Sequence, residues 1–124
     1  MMNFGVDITE RSFAFAVRIV NLCRVLERQG NVSRTLANQL LRSGTSIGAN
    51  IEEAQAGQSK ADFTAKMSIS RKEARETLYW LRLLVESETI PESRLTELIK
   101  EADELVRILT SIVKTAQTGK KNGK

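Results

Sequence analysis

Apolar residues recur at three- and four-residue spacing through four long stretches, and only three short segments interrupt them. A chain written this way folds as helices that bury one stripe each, because that spacing places side chains on one face of a 3.6-residue turn. The strongest example is Leu95, Leu98, Ala102, Leu105, Leu109, Ile112 and Ala116, a seam widened by Ile99, Val106 and Val113. Phe63, Met67, Ser70, Ala74, Thr77, Leu81 and Leu84 form a second seam of heptad type. No stretch alternates with the period of two that a half-buried strand requires.

The interruptions carry the chemistry of helix ends. Asp7-Ile-Thr-Glu10 resembles a capping box, so the first helix is expected to begin near Asp7 or Thr9 and to stop before Gly30. The second is expected from Asn31 or Ser33 to about Ala56. Ser59-Lys-Ala-Asp62 caps a third that runs to about Glu86, and Pro91, the sole proline, opens a fourth. After Gln117 the polar run Thr-Gly-Lys-Lys-Asn-Gly-Lys reads as a frayed tail. The expectation is an all-α, antiparallel up-down-up-down four-helix bundle over residues 1–118, with a basic tail at 119–124. A chain of 124 residues with 41% hydrophobic residues is long enough to bury such a core unaided.

Two features of the helices ask for neighbours. The first helix carries Phe13, Phe15, Val17, Ile19, Val20, Leu22, Val25 and Leu26, more apolar surface than one stripe holds. A second buried face follows, with self-association its simplest source, and the fourth helix shares the excess. Gly44 and Gly48 share a face inside the second helix, which fits close approach of another backbone, here expected from the small residues of the third helix. A helix break at 44–48 is the competing reading.

The polar residues of the second helix form a ribbon beside its apolar stripe: Arg42, Ser46 and Asn50 at four-residue steps, then Glu53. With a turn at 57–58, facing residues of the second and third helices have numbers summing to about 115. That register predicts an Arg42 ion pair with Glu73 and Glu76, and a cluster of Glu53, Lys66 and Asn50. Such groups either fix helix register or line a polar binding site. Trp80 either packs at the core or a subunit interface, or anchors a partner or a base.

Catalysis finds little to work with. The chain has no histidine, and Cys23 sits among Leu22, Val25 and Leu26, where it reads as a small buried hydrophobe. Glu52, Glu53, Glu73 and Glu76 lack the Glu-x-x-His partners of a di-iron site, so neither metal nor other cofactor is expected. The run Phe13–Val20 contains Arg18 and follows acidic residues, unlike a signal peptide, and nothing approaches a membrane span. A cytoplasmic protein that works by binding is the expectation.

The net charge of +4 divides unevenly. Residues 1–118 carry 16 basic and 15 acidic side chains, so +3 comes from Lys120, Lys121 and Lys124. Within the body, Arg71, Lys72, Arg75 and Arg82 gather on the third helix, interleaved with Glu73 and Glu76. With the tail lysines they are the candidate nucleic-acid contacts.

The run Arg42-Ser-Gly-Thr-Ser-Ile-Gly-Ala-Asn-Ile-Glu-Glu-Ala54 resembles the signature of a bacterial four-helix-bundle family that includes proteins encoded in intervening sequences of 23S ribosomal RNA genes. Ser59-Lys-Ala-Asp-Phe63 with Lys66, and Lys72-Glu-Ala-Arg-Glu-Thr-Leu-Tyr-Trp-Leu81, continue the match over roughly residues 10–117. The family's recurrent residues fall on Arg42, Ser46, Asn50, Glu53, Phe63, Glu73, Glu76 and Trp80. The resemblance implies a homo-oligomer, typically a pentameric barrel. It extends to the accessory variability protein of diversity-generating retroelements, a basic pentamer that binds nucleic acid and partners a reverse transcriptase. By resemblance, the partners are further copies of the chain, RNA or DNA, or a nucleic-acid-processing protein. A protein-interaction scaffold without direct nucleic-acid binding is the alternative.

Overall fold

The computed structural model describes the backbone of residues 4–122 and the side chains of residues 8–119. Four helices follow one another: α1 (Phe4–Glu27), α2 (Asn31–Gln55), α3 (Lys60–Glu86) and α4 (Glu92–Asn122). No strand occurs among the described residues. Each helix packs on the next in sequence, and α1 closes onto α4 along a shorter stretch. This is the all-α bundle that the periodicity predicts.

The turns are built from local hydrogen bonds. Arg28 and Gln29 donate to the carbonyls of Val25 and Leu26, tightening the end of α1. Gly30 then takes φ +116°, a conformation other residues adopt only with strain. Ser59 Oγ accepts from the amide of Asp62 at 3.1 Å and caps α3. Between α3 and α4 the amides of Thr89 and Ile90 both donate to Leu84 O, and the Ile90 side chain is buried beneath the turn. Two ends differ from expectation. The α1 backbone is already helical at Phe4, so Asp7 lies inside the helix rather than at its cap. At the other end α4 continues to Asn122, because nothing from Thr118 onward includes a proline to stop it.

The core is made from one stripe of each helix: Phe15, Ile19 and Leu26, then Leu40, Ile47 and Ile51, then Met67, Leu81 and Leu84, then Leu105 and Leu109. Every side-chain nitrogen or oxygen fully shielded from solvent among the described residues has a hydrogen-bond partner. Helix α2 runs unbroken through Gly44 and Gly48. These glycines face α1, however, not the small residues of α3: a Cβ on Gly44 would lie 2.8 Å from Ile19 Cγ2, and one on Gly48 3.1 Å from Ser12 Oγ. The small residues of α3 serve a different purpose. Ser70 Oγ donates to Ile47 O at 2.8 Å, and Thr77 Oγ1 lies 2.9 Å from Ser43 Oγ, so a seam of hydroxyls joins α3 to α2.

Of the two helices expected to carry excess apolar surface, α1 exposes it and α4 does not. Phe13 is 63% exposed and Val17 47%, on the side of α1 turned away from the core. On α4 the widening residues Ile99 and Val106 are half-buried and Val113 is buried, so its broad stripe is spent inside the bundle. Arg11 ties α1 to α4 through Glu101 and Glu104, both at 2.7 Å. Its guanidinium, held first by the Glu101 hydrogen bond and then by Glu104, is driven further from deprotonation.

Candidate nucleic-acid interface

The predicted register between α2 and α3 is realised at its centre. Arg42 Nη1 donates to Glu73 Oε1 at 3.2 Å, and Nη2 donates to Glu76 Oε2. Glu76 Oε2 also accepts from Trp80 Nε1 at 3.0 Å. One carboxylate therefore joins an arginine of α2 to the indole of α3, with the Trp80 ring half-buried against the core. Ser46 Oγ donates to Arg42 O at 2.6 Å and Asn50 Nδ2 to Ser46 O at 2.9 Å, so both side chains turn back onto their own helix.

The second predicted cluster does not form. Glu53 is exposed, Lys66 is half-buried, and neither makes an ion pair or side-chain hydrogen bond among the described residues, while the Asn50 amide is committed to Ser46. A surface pair between long side chains gains too little to overcome their rotamer entropy. The ribbon thus divides into an engaged half around Arg42 and an unengaged half around Glu53.

This division decides the electrostatics of α3. Glu73 and Glu76 lean toward α2 and are taken up by Arg42. At 100° per residue, Arg71, Arg75 and Arg82 fall within about 40° of arc on the side of α3 away from α2, with Tyr79 and Lys72 at its outer border. None of the four cations pairs with a carboxylate among the described residues. Charges that alternate along the sequence are separated in space: a border toward α2 where Arg42 meets two glutamates, and a cationic strip beside it. Ser68, Ile69, Arg71, Lys72 and Arg75 enclose a shallow open hollow on this strip. Tyr79 is 56% exposed next to it, and Trp80 meets its ring edge-on, with centroids 5.1 Å apart and planes at 74°. The sequence reading singled out the cations and Trp80 but not Tyr79; its four-residue step from Arg75 was the available signal.

Of the tail lysines, Lys120 and Lys121 belong to the backbone of α4, with side chains outside the described residues, as is Lys124. Cys23 is buried with Sγ 3.4 Å from Ala37 O, and burial, helped by nearby Glu27, pushes its thiol up to about 11. No group of three potential metal ligands comes together among the described residues. An apolar cleft of about 630 Å³ lies between the start of α3 and the end of α4, lined by Phe63, Ile112 and Ala116 with Lys60 at its edge.

The sequence profile of the 23S rRNA-intervening sequence protein family matches residues 5–111. The chain belongs to that family. A crystal structure from the S23 ribosomal protein family, of a Bacteroides thetaiotaomicron VPI-5482 protein with unknown function, shares its fold and 44% of its sequence. The likeness covers 90% of this chain and 98% of that one, with a TM-score of 0.82. No curated protein matches. Membership of the family fixes the bundle but brings no activity with it. No helix among the described residues is long and apolar enough to cross a membrane.

Proposed function

We propose that the chain is a non-catalytic, homo-oligomeric RNA-binding module of the cytoplasm, with the strip Arg71, Lys72, Arg75 and Arg82 as its contact surface. The observation that carries this reading is the turning of Glu73 and Glu76 toward Arg42 of α2, while none of the four cations pairs with a carboxylate among the described residues. Phosphate binding needs such a surface more than it needs a high total charge. The exposed Phe13 and Val17 of α1 support assembly, since covering them removes apolar surface from water. A five-membered ring, which the sequence resemblance implies, multiplies the strip fivefold. A binding role also suits a chain without histidine whose single thiol is buried and held protonated.

The test is solution mass by light scattering, followed on the same sample by titration with structured RNA at low and moderate salt. The expected result is a mass near five chains and an affinity that falls steeply with salt. An oligomer that ignores RNA transfers the role to protein recruitment. A monomer overturns the assembly part of the proposal.

A further inference from the structure

We infer that the α3 strip takes single-stranded RNA, with Tyr79 as a platform on which an unpaired base stacks while the flanking phosphates sit on Arg75 and Arg82. This deepens the proposed RNA-binding reading and rests on it. A cationic surface alone does not distinguish one strand from two; an exposed ring set among the cations does.

The placement is specific. Tyr79 follows Arg75 by one helical turn, about 6 Å, and precedes Arg82 by about 4.5 Å. Arg71 lies a further turn, about 6 Å, before Arg75. These steps are close to the interval between successive phosphates of an extended strand, so a chain lying along α3 meets cation, cation, ring and cation in turn. The phenol is exposed, and its hydroxyl has no hydrogen-bond partner among the described residues.

The ring is also braced. Trp80 holds its edge from one side, and Trp80 is itself tied by Nε1 to Glu76, which Arg42 anchors to α2. The Arg42 network therefore serves the strip twice, by withdrawing the carboxylates and by fixing the platform. Ordering the ring in advance lowers what base stacking must overcome in side-chain entropy. A duplex gains nothing from this arrangement, because its bases are already stacked and its deep major groove excludes side chains.

The experiment measures binding of the intact oligomer to a labelled unstructured 12-nucleotide RNA, to the same strand paired with its complement, and to an abasic strand of equal length. Wild type, Y79F, Y79A and R75A are compared, with thermal unfolding by circular dichroism as the check on folding. Wild type should prefer the unpaired strand, Y79F should keep that preference, and Y79A should lose roughly 5- to 100-fold on it, the range for removing one base-stacking contact. The abasic strand should bind weakly and be insensitive to Y79A. R75A should weaken all three. If Y79A binds the unpaired strand as tightly as wild type, or if the duplex binds equally well, the stacking inference fails while RNA binding by the strip stands. Binding to none of the three overturns both.

Discussion

At the scale of single residues, the tightest constraint is the contact of Gly44 with Ile19. The missing Cβ would lie 2.8 Å from Cγ2, 3.0 Å from Cγ1 and 3.3 Å from Cβ of Ile19, so a methyl group there meets the stiff, branched base of a buried side chain. Gly44→Ala gains about 1 kcal/mol of helix propensity but incurs overpacking of about 1–3 kcal/mol. Net destabilisation is expected in urea unfolding. In an Ile19→Ala background the same change should cost less, because Cγ1 and Cγ2 are gone and only the 3.3 Å contact with Cβ remains. Gly48 faces the movable hydroxyl of Ser12 at 3.1 Å, and Gly48→Ala should be the milder change. That these glycines mark a close approach was legible from their four-residue spacing. Which helix approaches was not, since the face a residue occupies does not name the neighbour covering it.

At the scale of helices, α2 and α3 are joined by matched hydroxyls rather than by apolar contact alone. Thr77 Oγ1 lies 2.9 Å from Ser43 Oγ and 2.8 Å from Glu73 O, in a fully buried position. Thr77→Val removes one partner of Ser43 Oγ, which keeps its bond to Leu40 O at 3.4 Å, and should cost about 0.5–1.5 kcal/mol, the net worth of one hydrogen bond. Combining it with Ser43→Ala removes both halves of the pair, so the double variant should be more stable than the two single losses predict. A double-mutant cycle in denaturant reads this coupling directly. The register behind this seam was available from the sequence, because a short turn at 57–58 sets which residues can face each other. The same rule brought Arg42 to Glu73 and Glu76 yet failed for Glu53 and Lys66. Backbone register fixes opposition; whether two long surface side chains then meet depends on rotamer entropy that sequence spacing does not encode. The ends of α1 and α4 were misread for a related reason: capping residues mark helix ends only when the chain has no better helical continuation.

At the scale of the whole molecule, the bundle separates three surfaces. Phe13 and Val17 expose an apolar ridge on the back of α1, Arg42 with its two glutamates closes the α2–α3 border, and α3 presents the cationic strip. Total charge pointed away from nucleic acid, because the body is almost neutral; the pairing of Arg42 with Glu73 and Glu76, which the register already predicted, is what supports the proposed strip. Four helices and their turns were legible because periodicity and capping act locally. The candidate surface was only half legible, because it depends on which acidic groups are already engaged. The most direct test is the salt dependence of binding to an unstructured RNA, compared between wild type and R71A/R75A/R82A. For single strands the slope of log affinity against log salt is about −0.7 per phosphate neutralised. The account predicts a wild-type slope of several phosphates that falls by about 2 units for each strip removed from the bound face. An unchanged slope in the triple variant would place the RNA elsewhere and contradict the assignment of α3.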